Sequence, residues 1–372
     1  MSAALSPAVS ATPPHILMTL DAVGGVWRYA MDLAAGMVRH GFAFTFVGLG
    51  PAPTPAQRAE AERIGQLIWL DAPLDWLAET EAQLDRIPDV LAALVEQQRI
   101  DLVHLNLPSQ ACGLALPVPT IVVSHSCVVT WFAAVRQDPL PADWQWQSRR
   151  NRAGFDAADM VLAPSQAHAD LLRQSYGPIE NLSVVHNASR AGIAPTRKHA
   201  KIFAAGRWWD EGKNGALLDK AARCSVWPVA MAGACAGPNG QQFHPRNARS
   251  LGELPHAAVA QAMAEAAIVA SPSRYEPFGL AALEGGKAGA ALVLADIPTY
   301  RELWDGAALF AAPDDAAGFA HALNRLAGDD ALRHEFAALA RQRSGRFGPE
   351  AQCAAMRAVY GRLLQSPSAL EA

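Results

Sequence analysis

At 372 residues the chain is long enough for two domains of roughly 100–200 residues each. Hydrophobic residues make up 51% and charged residues 18%, with 12 Phe, 10 Trp and 5 Tyr, which excludes a disordered chain. With 31 Lys+Arg against 35 Asp+Glu the formal net charge is -4, so the broad positive field of a non-specific nucleic-acid binder is missing and no nucleic-acid partner is expected.

The segment 1–14 is Ala, Ser and Pro with neither a basic start nor a long apolar run, so it reads as a disordered tail and not as a signal peptide. From His15 short apolar runs alternate with longer amphipathic stretches, the pattern of parallel sheets covered by helices on both faces. HILMTL is a first strand, and the pair Gly24-Gly25 precedes a helix that Gly41 closes. Further strands follow at FAFTFVGLG, LIWL, DLVHLN, TIVVSHS, DMVLAPS and LSVVHNA, with a helix to about Ile64 and another near Asp89 to Gln98. Residues 190–200 carry Gly, Pro and basic residues without an apolar period, as a linker does. KIFAAGR, VWPVAMAG, AIVASPS and ALVLAD then open a second α/β half, and a last helix runs from Pro349 to about Leu364.

Two such doubly wound halves leave a cleft at the carboxyl ends of their strands, which is where ligands settle in open parallel sheets. The densest stretch at a strand end is SPSRYEPFGLAALEGG, Ser271 to Gly286. It opens a helix near Pro277 and Phe278, whose first amides, on Phe278, Gly279 and Leu280, suit an anion. Glu276 and Glu284, eight residues apart, can line one side of the cleft and accept hydrogen bonds from hydroxyls, one on a sugar ring and one on a ribose. Read alone, the segment is also a capped helix with two solvated glutamates. In FAAGRWWDEGKN a strand delivers Arg207 to the cleft and Lys213 follows six residues later, two fixed cations suited to a diphosphate. His125, at the end of TIVVSHS, reaches the cleft as a donor to substrate or sits as a satisfied core histidine. Gly24 and Gly25 permit close backbone approach, but no complete G-x-G-x-x-G is present, which counts against a dinucleotide oxidoreductase. No HExxH, Asp-x-Asp or Cys/His cluster implies a metal. In DWQWQSRRNRAGF the tryptophans and arginines suit a membrane surface or, more plainly, a charged helix leading into the next strand.

These residues resemble the retaining nucleotide-sugar glycosyltransferases of family 4, with the GT-B fold: two Rossmann-like doubly wound domains facing a central cleft. EPFGLAALE carries the family's Glu-x7-Glu motif from Glu276 to Glu284, supported by GGVW, GRWWDEGKN, VVHNA and DGAALFAAPDD. The resemblance implies an acceptor-side domain over 15–195, a donor-side domain over 196–347 and a helix in 348–372 that crosses back to the first. It implies that Glu276 contacts the donor sugar and Glu284 the ribose. Arg207 and Lys213 would hold the diphosphate, Gly25 would face phosphate or acceptor, and His125 would lie near the sugar. The expected activity is transfer of a hexose from a UDP- or GDP-sugar to a saccharide, lipid-linked or small-molecule acceptor, with retention and without a metal or other cofactor. Polysaccharide or glycoconjugate synthesis is the expected setting. A nucleotide-sugar epimerase and a non-catalytic nucleotide-sugar-binding protein are the alternatives on the same fold. Ser126, Ala188 and Asn214 depart from the family's usual Asp, Gly and Gly at those places. The stretch 233–252 is expected to approach the nucleobase. Five cysteines without close spacing and no apolar run near the ~18 residues of a membrane span lead to the expectation of a soluble, cytoplasmic protein, with peripheral membrane contact possible but not indicated.

Overall fold

The structure, a computed structural model, describes residues 12–190, 196–238 and 240–365. Most of the tail expected over 1–14, the middle of the linker and the last residues of the chain lie outside the described residues.

Short, largely apolar runs build two parallel sheets. The first holds β1 (His15–Leu20), β2 (Ala43–Gly48), β3 (Gln66–Trp69), β4 (Leu102–Leu105), β5 (Thr120–Val123), β6 (Met160–Ala163) and β7 (Leu182–Val184), in the order β3-β2-β1-β4-β5-β6-β7. Parallel neighbours need crossovers. These carry α1 (Gly25–Val38), α2 (Pro55–Glu62), α3 (Ile87–Gln98), α4 (Val128–Trp131), α5 (Gln145–Ala157) and α6 (Gln166–Tyr176). Both faces are covered, so the strands are apolar on both. In β1, Leu17 enters one core, while Ile16, Met18 and Leu20 enter the other.

The second sheet repeats the plan with β8 (His199–Ala205), β9 (Val229–Ala232), β10 (Arg249–Gly252), β11 (Ala266–Ser271), β12 (Ala291–Ala295) and β13 (Leu309–Ala311), in the order β10-β9-β8-β11-β12-β13. Around it lie α7 (Gly215–Ala222), α8 (His256–Glu265), α9 (Leu280–Lys287), α10 (Pro298–Trp304), α11 (Ala316–Gly328) and α12 (Asp330–Ser344). Strand order reverses direction between β1 and β4 in one sheet and between β8 and β11 in the other. Crevices open at these switch points, and the chain emerges from their strands at Asp21, Asn106, Gly206 and Pro272.

The sequence pattern misses β10 and β13, which are short; β10 is largely exposed and polar, an edge strand with little apolar signal. The helix expected to open near Pro277 and Phe278 begins at Leu280. Gly279, at φ +86°, turns the chain just before it, and a Cβ there would meet the Tyr300 ring at 2.6 Å, so only glycine fits. The stretch rich in Trp and Arg takes its plainer reading: in α5, Arg150 is buried and donates to the Ser109 and Leu84 carbonyls and to Asp85. Among the described residues no helix is long and apolar enough to cross a membrane.

The last helix, α13 (Pro349–Gln365), packs on α1 of the first lobe, where Cys353, Met356, Val359 and Tyr360 complete the apolar layer. Gly36 makes the approach possible, since a Cβ at that position would stand 2.3 Å from Cys353 Sγ. The Tyr360 hydroxyl bonds His104 Nδ1 at 2.7 Å, both groups fully buried. Tyr360→Phe strips that ring nitrogen of its partner and should cost about 1–3 kcal/mol, read from the urea midpoint.

Burial holds His104 neutral, its pKa lowered to about 3, and His168 likewise to about 4. In the unfolded chain both titrate near 6.5, so below that pH, down to the folded values, only the unfolded state binds these protons. Their contribution to stability is therefore lost as pH falls through that window, by up to about 1.4 kcal/mol per pH unit for each ring. Urea titrations at a series of pH values below 7 should show the decline, and His168→Gln should shrink it.

Candidate active site

Between the two sheets lies a cavity of about 500 Å³, within the usual size of small-molecule sites. Its walls come from both lobes. Gly24, Gly25 and His125 enter from the first, and Arg207, Lys213, Glu276, Phe278, Gly279 and Leu280 from the second. Of the site residues expected from the sequence, Glu284 does not line it. That carboxylate is buried, accepting from the Ser189 hydroxyl at 3.0 Å and facing His256 Nε2 at 3.5 Å. The hydrogen bond with Glu284 raises the His256 pKa against the opposing effect of burial. Glu276 and Glu284 therefore open onto different surroundings, because a turn of irregular backbone through Gly279 separates them.

The first lobe's contribution follows from its strand ends. β1 is followed by Asp21, a buried carboxylate that accepts from the Val23 amide at 2.9 Å. Burial raises its pKa, while the Val23 amide, Arg207 and the Gly24 amide oppose the rise. The two glycines that follow face the other lobe. Cβ atoms on them would lie 3.3 Å from Arg207 Nη1 and 3.5 Å from Leu280 Cδ1, so small residues here let the lobes meet.

β5 ends at Val123 and, past Ser124, presents His125, whose ring packs edge-on against Tyr29 at 4.3 Å. His125 Nε2 lies 2.8 Å from Asn106 Oδ1, and Asn106 Nδ2 donates to the Thr19 carbonyl, which turns the amide oxygen toward the imidazole. Nε2 is therefore the protonated nitrogen and Nδ1 is left as an acceptor. The expected donation from this ring to substrate is corrected, since its N–H is already committed to Asn106. Burial, with smaller effects from His104 and His168, holds the ring neutral, its pKa lowered to about 3.

In the second lobe β8 runs into Gly206 and Arg207. The Arg207 guanidinium lies over the Trp209 ring at 5.3 Å and gives one bond, from Nη2, to Asp210 Oδ2 at 3.3 Å. Lys213 Nζ meets Glu276 Oε1 at 2.5 Å, and Ser273 Oγ donates to the same oxygen at 3.0 Å. Asn214 holds φ +56° where a glycine is usual, and its side-chain amide donates to the carbonyls of Pro272 and Pro313. Asparagine visits this left-handed region more readily than other non-glycine residues. The loop bearing Glu276 is tied to the first lobe by Ser165 Oγ on the Pro277 carbonyl at 2.6 Å and by Thr130 Oγ1 to Tyr275 Oη at 2.8 Å.

Sequence reasoning missed Asp21, Asn106, Asp210 and Trp131. The first two stand directly after strands and were within reach of the strand-end rule; Asp210 lay between two singled-out cations. Trp131, in a four-residue helix, carried no local signal. From the stretch expected near a nucleobase, 233–252, Gln241 lines the cavity. The lining carries the cations Arg136, Arg207 and Lys213 and the helix-start amides together with the carboxylates Asp21, Asp75, Asp210, Glu211 and Glu276 and a neutral imidazole; within it Arg207, Lys213 and the amides suit a phosphate, and the carboxylates suit hydroxyls.

Residues 23–189 match the family described as Glycosyltransferase Family 4, and residues 243–343 match Glycosyl transferases group 1. Over 100 residues, 26% of this chain, the sequence is 37% identical to glycogen synthase of Mycobacterium tuberculosis, and the match spans 24% of that relative's length. Sucrose-phosphate synthase from Thermosynechococcus elongatus superposes with a TM-score of 0.79 at 17% identity, over 95% of this chain and 100% of that one. HepE of Anabaena, in complex with UDP and glucose, does so with a TM-score of 0.74 at 18% identity, over 94% and 100%. At such identities the likeness shows the fold, two Rossmann-like lobes in the GT-B arrangement. With one family match on each lobe and that fold beneath them, the chain belongs to the family 4 glycosyltransferases.

Proposed function

We propose that the protein transfers a hexose from a UDP- or GDP-sugar to a hydroxyl of a saccharide acceptor, with retention of anomeric configuration, in polysaccharide or glycoconjugate synthesis. The observation that carries this reading is the meeting of Arg207, Lys213 and the Phe278–Leu280 amides from one lobe with His125 and Gly25 from the other in one cavity. Sugar diphosphates need this combination. The cations and amides compensate the charge that builds on the departing diphosphate, with no call on a metal, and such preorganised donors act where charge develops. Glu276 accepts from a hydroxyl of the donor sugar while its ion pair with Lys213 keeps both groups at the junction of sugar and phosphate. His125 Nδ1 accepts from a further hydroxyl. The incoming acceptor and the departing diphosphate share one face of an oxocarbenium-like sugar, and the diphosphate oxygen takes the acceptor's proton. The crystallisation of HepE with UDP and glucose and with UDP-glucose supports a nucleotide-sugar donor.

The acceptor side favours a neutral sugar. Trp76, Phe132 and Trp144 line it, Phe132 and Trp144 with ring centroids 6.1 Å apart, and flat aromatic faces suit the apolar face of a pyranose. Arg136, a first-lobe cation on this lining, is paired with Glu211 at 2.6 Å.

Incubation with a panel of UDP- and GDP-hexoses should release nucleotide from at least one, with the product's anomeric configuration, read by NMR, matching the donor's. Release from none sinks the reading, and a sugar epimerised while still nucleotide-bound replaces it with the epimerase. Lys213→Ala and Glu276→Gln should each lower kcat by about 10²–10³-fold at unchanged thermal stability. Trp144→Ala should raise the KM of a neutral oligosaccharide acceptor by about tenfold, equivalent to the ~1.4 kcal/mol of one stacking contact, and leave the donor KM in place.

A further inference from the structure

The two cations assigned to the diphosphate do not hold their own positions. Asp210, 9% exposed, stands between them. Its Oδ1 accepts from the Gly212 amide at 2.8 Å, which caps the short turn Glu211–Lys213 that carries Lys213. Its Oδ2 takes the single bond from Arg207. The remaining donor comes from the other lobe: Trp131 Nε1 reaches Asp210 Oδ1 at 2.9 Å. A Cβ on Gly212 would lie 2.9 Å from that indole nitrogen, so the ring sits directly on the turn.

We infer, on the basis of the transferase reading, that Trp131 and Asp210 are positioning residues through which the first lobe sets the diphosphate grip of the second. A carboxylate beside a diphosphate repels it unless its charge is occupied, and the more of Asp210 that Arg207 must satisfy, the less guanidinium remains for phosphate. The indole N–H occupies Oδ1, and among the described residues Arg207 makes one hydrogen bond, of 3.3 Å, which leaves its other donors for phosphate. The same short helix, α4, also places Thr130 on Tyr275, next to Glu276. One element of the acceptor lobe therefore touches both loops that hold the donor. Beyond Trp131 the chain continues as a π-helical turn, Phe132–Arg136, ended by Gln137 at φ +56°, and its Arg136 pairs with Glu211 beside Asp210. Such wide turns concentrate at functional sites. Closing the lobes and arming the cations become a single event.

Trp131→Phe keeps an aromatic ring in place and removes the indole N–H. Calorimetric affinities for UDP and GDP, and for UMP and GMP, are compared in the wild type, Trp131→Phe, Asp210→Ala and the double variant, alongside unliganded melting temperatures. For whichever diphosphate the wild type binds, Trp131→Phe should weaken binding by about tenfold and lower its preference over the monophosphate, with the melting temperature held. The double variant should bind no more weakly than Asp210→Ala, because the two act through one bond. Affinity within about twofold of wild type, equal loss for mono- and diphosphate, or losses that multiply in the double variant overturn the inference. A wild type that binds neither diphosphate sinks the transferase reading itself.

Discussion

Two parallel sheets aim the carboxyl ends of their strands at one gap, and the site follows from that constraint. A parallel strand must be followed by a crossover, so the residue after it stands at the sheet's rim with its backbone amides free before the helix begins. Asp21 follows β1, His125 comes two residues after β5, Arg207 two residues after β8 and Glu276 five residues after β11. Each is held by a strand buried on both faces, which gives rigid support to groups that must meet a ligand from opposite sides.

What joins the halves is a set of polar contacts across the gap, together with α13, which follows the second lobe in sequence and packs on the first. Ser165 on Pro277, Thr130 on Tyr275, Trp131 on Asp210 and Ser189 on Glu284 each cross from one lobe to the other. The first three lie at the loops that carry the cavity's charged groups. Polar contacts of this kind exchange readily for water, unlike the apolar packing of α13, so α13 is the durable connection and the others can break and reform as ligands enter. His125 fits this picture as a neutral group: Asn106 fixes its tautomer and burial keeps it uncharged, so it adds no positive charge to that already supplied by Arg207 and Lys213.

Glu276 and Glu284 show how far spacing carries. Eight residues apart on a continuous helix they would share a side, yet the helix starts only at Leu280 and the turn before it runs through a left-handed glycine. Glu276 faces Lys213 in the cavity, and Glu284 lies in a separate polar cluster with Ser189 and His256. A likeness in motif set the expectation for both residues. Local backbone conformation decided where each one points.

By itself the sequence determined the class of fold, because a parallel strand buried on both faces is an unbroken apolar run, and runs such as HILMTL, KIFAAGR and ALVLAD need no tertiary knowledge to be recognised. It also determined the strand-end residues Arg207, Lys213, His125 and Glu276, since chemistry at a strand's carboxyl end is a local property. The tertiary structure alone decided the short strands β10 and β13, the partners of Glu284, the tautomer of His125 and the bond from Trp131 to Asp210. Those depend on pairings such as Trp131 with Asp210, 79 residues apart, or His104 with Tyr360, 256 apart. No local period encodes a contact between segments that meet only after both lobes have folded.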